Sequence, residues 1–193
     1  TYKAKENISA FFGEAAIHLK QTDIVTGIRN EKTRQLVTSA DDLKQQVKIN
    51  YDDWLPSFHI RYVLNEKQNL RLSYYKAISR PALYDITFFN MDYDDYNIAG
   101  NPFLKRSTAG NFDLRYEWYA PEILDALQVT AFYKQIKNPY EKTLLNANDT
   151  LYPVPSGGLS YTPATKLTEQ LRNFGTAHNY GLDISVVKHF GNI

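Results

Sequence analysis

The sequence predicts an all-β fold, an antiparallel up-and-down meander of about seven strands. Three observations predict it. Several segments alternate apolar and polar residues with period two over about ten positions. The connections between them alternate short and long. Aromatic residues make up 14% of the chain, with 15 Tyr and 10 Phe, and the Trp residues stand near the predicted strand ends.

Taken in order, the first two strands are expected from Glu6 to His18 and from Asp23 to Val37. In the second, Ile24, Thr26 and Ile28 share one face, with Arg29 and Glu31 on the other. The segment Phe58-His59-Ile60-Arg61-Tyr62 repeats the pattern. From Asn69 to Lys76, Leu70, Leu72 and Tyr74 oppose Arg71 and Ser73, and Tyr75 breaks the polar side. The clearest run is Asn111 to Tyr119, where Phe112, Leu114, Tyr116 and Trp118 alternate with Asp113, Arg115 and Glu117. From Leu127, Val129, Ala131 and Tyr133 oppose Gln128, Thr130 and Lys134, with Phe132 as the exception. Leu182-Asp183-Ile184-Ser185-Val186 completes the series. The segment Ala40 to Val47 has room for a helical turn or two, too short to compete.

The tight connections are Leu19 to Thr22, Asn65 to Gln68 and Ala120 to Ala126. The long ones are Thr38 to Asp53, Arg80 to Thr108 and Asn138 to Thr176. In a meander every second connection lies at the same end, so the long loops share one rim and the tight turns the other. Trp118 and Tyr119 fall at a tight-turn end, and Trp54 falls where the first longer loop re-enters a strand. Rings with a wet N–H or O–H suit a boundary between water and an apolar phase.

Composition narrows the class. Lys and Arg number 22 against 21 Asp and Glu, a balance with no pull toward nucleic acid. Mean hydropathy is −0.47, and no apolar run approaches the ~20 residues of a membrane helix. Barrel strands escape that test, because alternation keeps their mean hydropathy low. With Cys at 0, thiolate catalysis, Cys-based zinc sites and disulfides are all excluded. No HExxH, GxSxG or phosphate-loop pattern occurs, so no enzyme activity and no cofactor are expected. These observations leave two readings open. One is a soluble, secreted β-sandwich for binding or adhesion, its apolar face packed inward; the other is a membrane wall, its apolar face turned to lipid.

The order of motifs separates them. Leu55-Pro56-Ser57 opens a strand, and Asn65-Glu66-Lys67-Gln68-Asn69-Leu70-Arg71-Leu72-Ser73-Tyr74 turns into the next. Ser79-Arg80-Pro81 and Gly100-Asn101-Pro102-Phe103-Leu104-Lys105 follow, then Asn111-Phe112-Asp113-Leu114-Arg115-Tyr116-Glu117 and Ala131-Phe132-Tyr133-Lys134. Asn173-Phe174-Gly175 and Asn179-Tyr180-Gly181-Leu182-Asp183 close the series. In this order, from about Glu6 onward, the chain resembles the C-terminal barrel region of TonB-dependent outer-membrane receptors of the type abundant in Bacteroides-like bacteria. The resemblance implies part of a transmembrane β-barrel of roughly 22 strands, in the bacterial outer membrane, serving TonB-energised uptake of an iron chelate, vitamin, glycan or peptide. It implies that residues 1–193 are a partial barrel, with the plug domain and terminal strands elsewhere, and that TonB is engaged through an N-terminal part outside this sequence. The start at Thr1 without a leader and the turn-like His189-Phe190-Gly191-Asn192 lead to the same expectation of a fragment.

On this reading Leu70, Leu72, Tyr74, Phe112, Leu114, Tyr116 and Trp118 face outer-membrane lipid. Arg29, Glu31, Arg61, Arg71, Asp113, Arg115, Glu117 and Asp183 face the lumen. The candidate ligand-binding residues are Tyr84, Phe88, Phe89, Tyr93 and Tyr96, in the long and presumed extracellular loop from Arg80 to Thr108. The same rings could instead only pack the loop against its neighbours. Asp92-Tyr93-Asp94-Asp95-Tyr96-Asn97 offers oxygen ligands but lacks the Gly and closing Glu of an EF-hand, and His18, His59, His178 and His189 are scattered, so no metal site is expected. Asn148-Asp149-Thr150 matches a glycosylation pattern that carries no weight in a bacterial chain. An isolated piece would expose its first and last strand edges, so edge-to-edge self-association is expected of it.

Overall fold

The computed structural model describes residues 2–39, 46–120, 125–146, 149 and 166–188. Seven long strands form one antiparallel sheet: β1 (Tyr2–Leu19), β2 (Thr22–Ser39), β3 (Gln46–Asn65), β4 (Gln68–Ser79), β7 (Ser107–Ala120), β8 (Asp125–Lys137) and β11 (Thr176–Val187). They pair in that order, each with its neighbours in the series. Four short strands, β5 (Asn90–Asp92), β6 (Tyr96–Ala99), β9 (Tyr140–Leu145) and β10 (Leu167–Asn173), form a second sheet in the order β5-β6-β10-β9. All four belong to the two longest connections, which leave the same rim. The tight turns after β1 and β3 lie at the other.

Register shows why the alternation makes a two-faced wall. Ile17, Ile24, Ile60, Leu72, Leu114, Ala131 and Leu182 are successive cross-strand partners, an apolar row that crosses all seven strands. One residue along each strand lies His18, Asp23, Arg61, Arg71, Arg115, Thr130 and Asp183, a polar row on the opposite face. Period two in the sequence has become sidedness. The lipid-facing and lumen-facing sets expected from sequence each share one face of this sheet.

The apolar face is uncovered. Leu114 is 47% exposed, Leu182 68% and Ile184 67%. The loop residues Ile86 and Leu104 pack on the inward side of the β2–β3 hairpin, against Val37 and Val47, and no second layer covers the apolar rows among the described residues. Aromatic rings border them toward the loop rim. Phe58, Tyr74, Phe112 and Tyr133 follow one another from β3 to β8, with centroids 5.7, 4.5 and 6.4 Å apart. On β1 and β3, Phe11 meets Trp54 edge-on at 5.8 Å. Toward the turn rim stand Tyr62, Tyr116 and Trp118.

β1, β2 and β3 are longer than expected. The stretch read as a loop from Thr38 to Asp53 is strand on both sides, since β2 runs to Ser39 and β3 begins at Gln46. Trp54 therefore sits within β3 rather than at a loop boundary. Val47 of the possible helical turn is strand, and residues 40–45 lie outside the described ones. At 18 to 20 residues these strands are about twice the ~9–11 a tilted strand needs to cross hydrocarbon. Above the Phe11–Trp54 pair their outward residues turn polar. The β3–β4 ladder stops at Ser57–Tyr75, beside Pro56, which has no N–H to donate. The β2–β3 hairpin continues beyond that point without β4.

Candidate functional site

Where β3 and β4 part, the connection between β4 and β7 enters. Its two ends are held by arginines on carboxylates of the inner face. Glu31 of β2 and Asp53 of β3 are direct cross-strand partners, 7% and 2% exposed. Two buried carboxylates placed opposite each other repel and need cations. Arg80, the first residue after β4, pairs with Glu31, which also takes Arg29 Nη2 at 2.7 Å. Arg106, the last before β7, pairs with Asp53 and lies 4.2 Å from the centroid of the Tyr51 ring. Of the charges expected on the lumen side, Arg29 and Glu31 thus join Asp53, Arg80 and Arg106 in a clamp for a long loop.

Behind the clamp lies a small core. Ile86 and Leu104 from the loop pack with Val37 and Val47 of the extended hairpin, and Leu83, Phe88, Tyr140 and Leu171 border them. Polar stitches bind the two long connections to each other. Asn101 Nδ2 donates to the Leu171 carbonyl at 2.8 Å, and Gln170 Nε2 to the Gly100 carbonyl at 2.9 Å. Asn173 and Lys105 exchange two further bonds. β10 joins the sheet parallel to β6 and antiparallel to β9.

Of the expected ligand-binding residues, four gather on the outside of this unit. Tyr84 and Phe89 lie 4.4 Å apart, and Tyr93 stacks on Tyr96 at 5.2 Å with an interplanar angle of 13°. Met91 Sδ links the pairs, 3.6 Å from Tyr84 Oη and 3.9 Å from Tyr93 Oη. Phe88 does not join them and turns to the small core. Tyr84, Tyr93, Tyr96 and Met91 remain exposed. Beside them a cavity of about 180 Å³ is lined by Tyr84, Asp85, Phe89, Lys142, Glu169 and Gln170. Lys142 Nζ pairs with Glu169 at 2.7 Å, a bond that raises the pKa of the ammonium, and burial raises that of the Tyr84 phenol. The surface thus offers stacked rings, a soft sulfur and one neutralised ion pair.

Gly100, which the sequence offered as part of the conformational Gly100-Asn101-Pro102 motif, fixes this surface. A Cβ there would stand 2.0 Å from the Thr87 carbonyl oxygen and 2.8 Å from the Phe89 ring. Met91 was missed although its contacts are local, and Lys142 and Glu169 were missed because nothing in the sequence announces the pairing of β6 with β10. Asp92 is held by Lys166 Nζ at 2.8 Å, and no cluster of three or more His, Asp or Glu suited to a metal occurs among the described residues. His59 bonds Ser73 Oγ and His178 bonds Tyr133 Oη, both within the wall. His189, Asn148 and Thr150 lie outside the described residues.

A one-layer antiparallel wall with an uncovered apolar face, aromatic borders and loops gathered at one rim is the fold of an outer-membrane β-barrel. The chain belongs to the outer membrane protein beta-barrel family, whose pattern it matches over residues 1–193, and its place is the bacterial outer membrane. No curated protein matches the chain in sequence. Among solved structures it is similar to the hemophore receptor HasR of Serratia marcescens in complex with its hemophore HasA and heme, with a TM-score of 0.68 and 14% identity over 94% of this chain and 31% of that one. The FrpB iron transporter from Neisseria meningitidis gives 0.61 and 18% identity over 97% of this chain and 24% of that one. The siderophore receptor PirA from Pseudomonas aeruginosa gives 0.60 and 15% identity over 96% and 40%. These neighbours are receptors and transporters, and the likeness is one of fold. The chain spans 24 to 40% of their length.

Proposed function

We propose that the chain is a wall segment of a TonB-dependent receptor that takes up a nutrient across the outer membrane. The observation that supports this reading most is the two-faced wall: uncovered apolar rows on one side, ion-paired rows on the other, and the loop unit clamped at a single rim. In the intact receptor the apolar rows meet lipid, the charged rows face the lumen and a plug carried by another part of the protein, and TonB acts through that part. Such a wall positions groups for binding and passage rather than for bond-making chemistry.

The ligand surface in this reading is the cluster of exposed Tyr84, Met91, Tyr93 and Tyr96, with half-buried Phe89 and the adjoining cavity. Phe88 supports it from below. Rings give contact area at little entropy cost because each has few rotatable bonds. The solved neighbours handle iron, siderophores or heme, so iron chelates and heme are the first ligands to test, ahead of vitamins, glycans and peptides. The experiment is ligand binding by the full-length receptor, followed by intrinsic fluorescence, with the wild type and a Tyr84→Ala/Tyr93→Ala/Tyr96→Ala variant. Affinity is expected to fall by about tenfold or more if the stacked rings carry the contact, with folding unchanged. Equal affinity in both proteins would remove the cluster from the site.

A further inference from the structure

The outer face changes character abruptly beyond its aromatic border. On the projecting parts of β1, β2 and β3, the outward positions include Lys3 and Lys5, then Lys32 and Arg34, then Lys48. On the same face, Lys76 comes next after Tyr74 on β4, and Lys137 follows Tyr133 and Gln135 on β8. One carboxylate, Asp52, shares these outward positions among the described residues, and it pairs with Lys32 at 3.6 Å. The carboxylates at this height, Glu6, Glu31 and Asp53, sit on the inner face, each bonded there. The inward carboxylates Glu31 and Asp53 are matched by Arg29, Arg80 and Arg106, whereas the outward positions carry an excess of positive charge.

Two grooves open in this band. One, of about 500 Å³, is lined by Lys32, Arg34, Asn50 and Asp52. The other, of about 480 Å³, is lined by Lys76, Gln135 and Lys137 and opens directly above Tyr74, where Gly110 contributes no side chain. Near the tight turns, among the described residues of the same face, Lys188 is paired with Asp125. A collar of like charges at the edge of an apolar band costs self-repulsion unless an anionic partner lies beside it. A leaflet places its phosphates at that level, immediately above the hydrocarbon.

We propose that this basic collar is a docking surface for the phosphate groups of anionic lipid headgroups in the leaflet at the loop-bearing rim. The inference rests on the membrane reading of the apolar face. It adds that the protein selects its neighbouring lipids by charge. Lys32, Arg34, Lys48, Lys76 and Lys137 are the groups that engage phosphate, and the grooves admit the headgroup between strands.

The test uses the full-length protein in phosphatidylcholine vesicles, with spin-labelled phosphatidylglycerol and spin-labelled phosphatidylcholine as probes of the lipids in contact with it. Wild type is expected to prefer phosphatidylglycerol at low salt and to lose that preference as sodium chloride is raised. In a K32Q/R34Q/K48Q/K76Q/K137Q variant the preference is expected to fall at least about fivefold, the weight of one fully engaged cation. A D125N/K188Q variant is expected to keep it. Equal association of the two probes with wild type at low salt overturns the proposal, as does a preference that survives in the five-site variant. If that variant fails to fold, the salt series on wild type decides alone. Detergent-dependent folding tests the membrane reading separately, so a protein that passes it but shows no lipid preference refutes only the collar.

Discussion

Single residues decide whether the loop unit holds its shape. Gly100→Ala places a methyl group against the Thr87 carbonyl oxygen and the Phe89 ring, and neither backbone nor ring has room to give. The expected cost is about 1–3 kcal/mol, the range for overpacking, confined to the loop unit. Limited proteolysis should then cut between residues 80 and 106 while the wall stays protected; an unchanged digestion pattern would refute the close approach. The clamp gives a second case. Arg106→Gln leaves Asp53 buried without its cation, and loss of one partner of a buried pair costs about 3–5 kcal/mol. Adding Asp53→Asn removes the stranded charge and should recover part of the loss in the double variant. Alkaline pH acts on the same unit. The pKa of Lys142 is raised by Glu169 and that of Tyr84 by burial. A group raised in the folded state contributes its full stability below its unfolded pKa and loses it above. The loop unit should therefore loosen as pH climbs beyond about 10, the ordinary value for Tyr, with Lys142 following, as hydrogen exchange in β9 and β10 would show.

At the scale of strands, the two faces respond oppositely to charge. Leu114→Arg sets a guanidinium in the middle of the apolar row between Leu72 and Ala131. At mid-depth in lipid this is expected to cost about 2–4 kcal/mol, read as a lower urea midpoint of the full-length protein in vesicles. Ser73→Arg, on the opposite face, should shift the midpoint far less. Equal shifts would mean that both faces see the same medium. The seven strands and their faces were legible because period two is local: Leu114 and Arg115 declare opposite sides without reference to any neighbour. β2 was legible as far as Val37, but the upper half of β3 was not. Val47 to Asp53 alternates too, but polar residues stand on its outward side and the inward side meets the loop unit, so it resembles connection. β5, β6, β9 and β10 are shorter still, and β10 reaches β6 from about 70 positions away. Of the candidate site, the rings could be read because Tyr and Phe are conspicuous. Lys142 and Glu169 could not, since they reach the rings only through that distant pairing, and Met91 carries no signal of its own despite its local contacts with Tyr84 and Tyr93.

For the whole molecule, the decisive fact is that the sheet stays open. Among the described residues β1 pairs only with β2 and β11 only with β8, so each offers a row of unpaired backbone groups along its free edge. Backbone polar groups left unpaired in hydrocarbon cost several kcal/mol each, which is why walls that cross membranes close on themselves. On the proposed reading, other strands of the receptor meet these edges. Alone, the 193-residue chain has two remedies, pairing with a second copy or shelter in a micelle. Neither covers the apolar rows in plain buffer, where Leu182 and Ile184 would remain two-thirds exposed. The chain purified by itself is therefore expected to show strong β circular dichroism and a defined particle size only with detergent, and an even-numbered assembly if edges pair. A folded, dispersed monomer without detergent would mean that the apolar faces pack on each other after all. The β-sandwich reading would then replace the wall.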